Sequence, residues 1–486
     1  MNEGEGRKVN RERTIALVLL FAFFISITAP TYAYPPSTND WPNFHGNLEN
    51  TGLAYPVLLG IPIPQLLWSY TTDNVISPSS PSLADIDNDG ELEVVVGTAN
   101  FANTGGIYAI EADGTLKWKY PTGDYGTYAC PAIDDIDDDG LIEIVFVSYA
   151  GKITVLEHDG TAKWILDKGS AGTKVAIADV DGDGDLEVIA GAANKIWLLN
   201  ADGTEAWNKD FIIGTEPAVA DVDGDGDLEI VFAALGTKTI VALNADGGTQ
   251  WTSSPVAGQD CQVSLSITND LNSDGKPDIA VGCRDQKIYA YSGADGTQLW
   301  SYLTVGRVFG IAVADIDGDS FDDVVATATK GDGVESYVYV LDKDGSLIWS
   351  HNIVGLIAYT TEGTPSIADV DKDGVLDVVT GSTSMKVYAL SGVDGSEIWT
   401  FDIANPSPSA LAIADINGDT VMDVVIATAD IVYCITGPPP PPRPVGGVWV
   451  PINKLELLAP WIGLASLITV ASVSIVYVKR KKKQQK

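Results

Sequence analysis

Between residues 63 and 437, apolar residues fall in short blocks broken by Asp, Gly and Asn. Nowhere in that region does an amphipathic-helix period persist. Blocks such as Glu93–Gly97 (EVVVG) are β-branched and almost wholly apolar, as strands covered on both faces are. Other blocks, IYAI, ITVL, IWLL, IVAL, IYAY, VYVL and VYAL, each lead into an Asp-Gly turn and then a strand marked by Trp.

These blocks repeat. An Asp-rich loop between two apolar strands begins at Asp85, Asp135, Asp179, Asp221, Asp270, Asp315, Asp369 and Asp415, at spacings of 42 to 54 residues. A second marker alternates with it: ADGTLKW, HDGTAKW, ADGTEAW, ADGGTQW, ADGTQLW, KDGSLIW and VDGSEIW. Trp68, in QLLWSY, is an eighth Trp without the turn. Four strands in roughly 46 residues is the period of a propeller blade. The last unit ends at DIVYCITG (430–437) with three strands and no Trp strand, and the N-terminal segment offers only a Trp strand. The expectation is all-β: an eight-bladed β-propeller over 63–437, closed by an N-terminal strand that removes the open sheet edges, plus one C-terminal transmembrane helix.

The ends carry the charge pattern of targeting and anchoring segments. The net charge is −37, yet Arg7, Lys8, Arg11 and Arg13 precede one apolar run and KRKKK (479–483) follows another. Residues 14–28 have signal-peptide length, with small residues Thr31 and Ala33 before a cleavage point, so 1–33 is expected to be a signal peptide. An uncleaved anchor is the alternative. Residues 34–62 and the proline-rich 438–456 read as linkers. Residues 457–478 are long and apolar enough to span a bilayer, with the tail 479–486 cytoplasmic by the positive-inside rule and the propeller outside. The acidic outer part excludes nucleic acid as a partner. Four cysteines lie in it; Cys261 and Cys283 flank one loop and are candidates for a disulfide, whereas Cys130 and Cys434 belong to non-neighbouring units.

The acid spacing within the loops points to cations. Counting from the first Asp, positions 1, 3, 5 and 9 carry oxygen ligands in every loop. The sets are Asp85, Asp87, Asp89, Glu93; Asp135, Asp137, Asp139, Glu143; Asp179, Asp181, Asp183, Glu187; and Asp221, Asp223, Asp225, Glu229. The remaining four are Asp270, Asn272, Asp274, Asp278; Asp315, Asp317, Asp319, Asp323; Asp369, Asp371, Asp373, Asp377; and Asp415, Asn417, Asp419, Asp423. Calcium takes six to eight oxygens, and alternate carboxylates with a position-7 carbonyl can supply them. An EF-hand is excluded, because position 12 is never acidic and strands flank the loop. Up to eight Ca²⁺ are expected. Gly at position 6 permits φ > 0; Ser320 and Thr420 replace it, so the sites at Asp315 and Asp415 are expected to be weaker or differently shaped.

These loops resemble FG-GAP (integrin α-type) repeats, D-x-[DN]-x-[DN]-G-x-x-[DE], and the Trp strands resemble quinoprotein-like eight-bladed propellers. WPNFHGNLENTG (41–52) is similar to a segment that precedes such propellers. The resemblance implies structural calcium and a loop face that binds protein partners. The expected role is a cell-surface binding or adhesion module for an extracellular protein or glycan, without catalysis. The alternatives are a surface-assembly scaffold, or an enzyme of quinoprotein or polysaccharide-lyase type. No adjacent Cys-Cys pair is present, His45, His158 and His351 form no catalytic cluster, and only position would nominate Lys174 or Arg284 as a lyase base. The tryptophans are expected to pack between neighbouring blades.

Overall fold

The computed structural model describes residues 47–438, except 49, 55–58, 73–78, 101–104, 128–129, 170–171, 173, 257–260, 262–263, 331–334, 355–362, 383 and 406–408. The expected signal peptide (1–33), the expected transmembrane helix (457–478), the basic tail and almost all of 438–456 lie outside these residues. The chain divides into 1–439 and 440–486, and the second unit is entirely outside them. Among the described residues no helix is long and apolar enough to cross a membrane.

Among the described residues, thirty-two strands form eight four-stranded antiparallel sheets. Blade 1 is typical: Ser82–Ala84, Glu93–Thr98, Gly106–Ile110 and Leu116–Pro121 pair in chain order. The second strands, such as EVVVGT and DIAVGC, are buried along their whole length. Both of their faces meet apolar side chains, which explains the unbroken apolar blocks. Fourth strands are half exposed. First strands of neighbouring blades touch one another around the ring, so they line the axis.

Blade 8 joins the two ends of the propeller sequence. Gln65–Thr71 pairs antiparallel with Ile431–Thr436, placing Trp68 opposite Cys434. The tryptophans then latch each blade to the next. Trp118 Nε1 donates to His158 O at 2.8 Å, Trp207 to Ala245 O at 2.7 Å and Trp349 to Gly392 O at 2.7 Å. In each case the ring lies against a turn glycine of the next blade, such as Gly160 beside Trp118. Trp399 is the exception: its buried Nε1 has no hydrogen-bond partner among the described residues. It faces blade 8, where the Asp-Gly turn is replaced by the meeting of the two chain segments.

Part of the stretch read as a linker is built into the ring. Val219 N donates to Leu48 O, Val313 N to Thr51 O, and Ile367 N to Gly52 O, at 2.7–2.9 Å. Ser266 Oγ donates to Asn50 O at 2.7 Å. Leu59 N then donates to Thr420 O and Ile61 N to Val370 O. Leu48 and residues 50–54 therefore run along the first strands of blades 4 to 7, and residues 59–61 reach the loops of blades 7 and 8. Cys261 and Cys283 form a disulfide, while Cys130 and Cys434 are buried and not disulfide-bonded.

Candidate metal sites

Each Asp-rich loop joins the first and second strands of its blade. The turn before the Trp strand lies at the same end of the blade, since Val94 pairs with Ile110 and Ile110 with Leu116. One face of the ring thus carries all eight loops and the turns beside them.

The loops share one hydrogen-bond frame. The position-1 carboxylate accepts the position-6 amide in all eight, from Gly90 N to Asp85 Oδ2 at 2.9 Å through to Thr420 N to Asp415 Oδ2 at 2.7 Å. Position 5 accepts the position-7 amide in all eight. Position 9 reaches back to the position-2 amide in all eight. These bonds fold nine residues into a compact acid-lined loop. Positions 4 and 6 are left-handed throughout, including Ser320 at φ 74° and Thr420 at φ 71°. The two loops without glycine at position 6 therefore keep the common backbone handedness, at a torsional cost. Position 4 is a second left-handed site, filled by Asn88, Asp138, Ser273 and Lys372 where glycine is absent.

Position 9 is the buried member, at most 4% exposed in any loop. Burial raises its pKa: to about 8 for Glu93 and Glu143, about 7 for Glu187, Glu229, Asp323, Asp377 and Asp423, and about 6 for Asp278. A buried carboxylate whose nearest neighbours are other carboxylates favours either a proton or a cation. Oxygens of positions 1, 3 and 9 lie within 4.8 Å of one another in the loops at Asp85, Asp135 and Asp179. Among the described residues, buried Asp369 Oδ1 receives no hydrogen bond. An all-oxygen donor set with an unpaired buried acceptor fits a hard divalent cation such as Ca²⁺.

Five residues at these sites were not anticipated from the loop motif. Glu111 and Glu157 each follow the third strand and join the acids at positions 5 and 9. The residue before each Trp falls in a β-bulge, as Lys117 does between the pairs Ala109–Trp118 and Ile110–Leu116. The bulge turns that side chain toward the loop. Lys117 Nζ lies 2.6 Å from Asp87, Lys163 Nζ lies 2.5 Å from Asp137, and Gln250 hydrogen-bonds Asp223. The available signal was a pairing: Glu before the turn and Lys before the Trp occur together in EADGTLKW and EHDGTAKW.

Lys174 and Arg284 are at the other end of their blades. Lys174 starts the strand whose far end opens the loop at Asp179, and it forms a buried pair with Glu216 at 2.5 Å. Arg284 follows the strand Asp278–Cys283, whose first residue is the loop acid.

Comparisons with known proteins agree with this architecture. Residues 135–190 match the FG-GAP-like repeat, and residues 236–437 match the family described as outer membrane protein assembly factor BamB. No curated protein matches the chain. Among solved structures, quinohemoprotein alcohol dehydrogenase from Comamonas testosteroni superposes with a TM-score of 0.66 at 12% identity, covering 85% of this chain and 82% of that one. The V. cholerae biofilm matrix protein Bap1 gives 0.58 at 17% identity, covering 77% and 91%. BamB from Moraxella catarrhalis gives 0.53 at 14% identity, covering 77% and 97%. The chain is an eight-bladed propeller with FG-GAP-like repeats and quinoprotein-type structural neighbours.

Proposed function

We propose that this chain is a calcium-binding propeller displayed on the cell surface as a binding or adhesion module. The observation that carries the reading is the repeated loop frame, in which eight loops present oxygen ligands at positions 1, 3, 5 and 9, acidic except for Asn272 and Asn417, with the position-9 carboxylate buried. Calcium would be held by those residues and would offset the repulsion among them. Its role is structural: it stiffens the loop face and presents the neighbouring turns to a partner. The apolar segment 457–478 followed by KRKKK supports a single-pass anchor with the propeller outside. The likeness in fold to a biofilm matrix protein is in keeping with an extracellular role.

A second reading has support of its own. The BamB-type match over 236–437 favours an assembly scaffold, and the quinohemoprotein neighbours share the fold of an enzyme. One set of assays on the full chain separates the three. Calcium-dependent binding to a cell or glycan array, abolished by EDTA, supports adhesion. Quinone-dependent dye reduction or release of unsaturated sugar supports the enzyme. Calcium-independent association with membrane proteins supports the scaffold. Either of the last two outcomes, without array binding, overturns the adhesion reading.

A further inference from the structure

The eight loops share a frame but do not share a counter-ion. In six of them the position-5 amide also donates to the side chain at position 3: Asp183 to Asp181, Asp225 to Asp223, Asp274 to Asn272, Asp319 to Asp317, Asp373 to Asp371 and Asp419 to Asn417, at 2.8–3.2 Å. Among the described hydrogen bonds, the loops of blades 1 and 2 lack this contact. There the position-3 carboxylate meets a lysine instead. Lys117 Nζ stands 2.6 Å from Asp87, 3.3 Å from Glu93 and 3.1 Å from Glu111. Lys163 Nζ stands 2.5 Å from Asp137, 3.4 Å from Glu143 and 3.3 Å from Glu157. Each ammonium touches position 3, the buried position 9 and the added glutamate at once.

The bulge explains why a side chain from the fourth strand reaches the loop. It occupies the residue before every Trp, and the eight occupants are Leu67, Lys117, Lys163, Ala206, Gln250, Leu299, Ile348 and Ile398. Two are cationic, and those two are the blades that add a glutamate after the third strand. Lys343 also approaches a loop, but it comes from the turn and its ion pair is with exposed Asp319, away from position 9.

We propose that Lys117 and Lys163 take the cation's place in blades 1 and 2, so that calcium serves the other loops and these two are held by the chain's own ammonium groups. The proposal rests on the calcium reading above. A tethered ammonium needs no free ion, so one arc of the ring stays ordered when calcium is scarce and the rest of the face responds to it. The bulge position thereby decides loop by loop whether the face is sensitive to calcium.

The test uses the full chain in detergent micelles with calcium as the probe. Equilibrium dialysis against radioactive calcium compares the native chain with Lys117→Met/Lys163→Met and with Lys117→Arg/Lys163→Arg. The methionine variant should bind two more calcium ions per chain, and the arginine variant no more than the native chain. Equal binding by native and methionine chains, with calcium bound to both, overturns the proposal and leaves the calcium reading standing. No binding by either overturns both. Hydrogen–deuterium exchange on the native chain gives a readout independent of the variants. Calcium should protect the amides of 179–187 and 221–229 and leave those of 85–93 and 135–143 unchanged; equal protection of all four loops overturns the proposal.

Discussion

At the scale of single residues, each loop depends on torsions that most side chains avoid. Gly184, at position 6 of blade 3, has φ 98°, and nothing lies within 4 Å of where its Cβ would stand. The cost of a side chain there is torsional rather than steric. Gly184→Val should destabilise the fold by about 1–3 kcal/mol. Gly236→Val is the control, with equal space and no left-handed φ, and should fall within about 0.5 kcal/mol of native. Thermal melts of the two variants check this; equal losses would refute the torsional account. The requirement at position 6 was legible as a recurring glycine. That at position 4 was not, because Asn88, Asp138, Ser273 and Lys372 adopt the same conformation without a shared residue type. The lysines were missed for a related reason. Their contacts depend on a bulge, and a bulge is a feature of pairing that no single strand displays.

At the scale of elements, the latch between blades separates a hydrogen bond from the ring that makes it. Trp349 and Trp399 are both 7% exposed, but Trp349 donates to Gly392 O and Trp399 has no acceptor among the described residues. Phe keeps most of the ring and loses the donor. Trp349→Phe should cost about 1 kcal/mol more than Trp399→Phe, because it strands a buried carbonyl that was paired. Denaturant melts of the two variants test the difference, and a larger loss at Trp399 would contradict it. The blades themselves were legible because two markers, the acid loop and the Trp strand, keep independent count of them. The strap formed by Leu48, 50–54 and 59–61 was not. Its Asn, Gly and Pro content reads as a linker, and its partners, such as Val219, Val313 and Ile367, are remote in sequence. Hydrogen bonds made by backbone groups leave no side-chain signature.

For the whole molecule, the buried acids couple proton, calcium and fold. Without calcium, the position-9 carboxyls have folded-state pKa values of about 6 to 8, against roughly 4 when unfolded. Between those limits the folded chain binds more protons than the unfolded chain. The contribution to stability is therefore fully present below about pH 4 and lost as pH rises through the folded values. The calcium-free chain should melt at lower temperature at about pH 8.5 than at about pH 5.5. With calcium bound, the position-9 acids of the loops that take it are held ionised, so the trend should flatten or reverse; a calcium-free melt that rises with pH would refute this linkage. The ring and its closure were readable from repeats, whereas the coupling arises from burial, which the acid pattern alone does not disclose.

The central claim is that the loop face is a set of calcium sites that hold the propeller together. The most direct measurement is a calorimetric calcium titration of the full chain, followed by thermal melts with calcium and with EDTA. Ligands that bind only the folded state stabilise it by mass action, by about 2.7 kcal/mol per site at a hundred times Kd. The account predicts uptake of several calcium ions per chain, proton release at pH 7 and a melting temperature that EDTA lowers by many degrees. No calcium uptake and superimposable melts would contradict it.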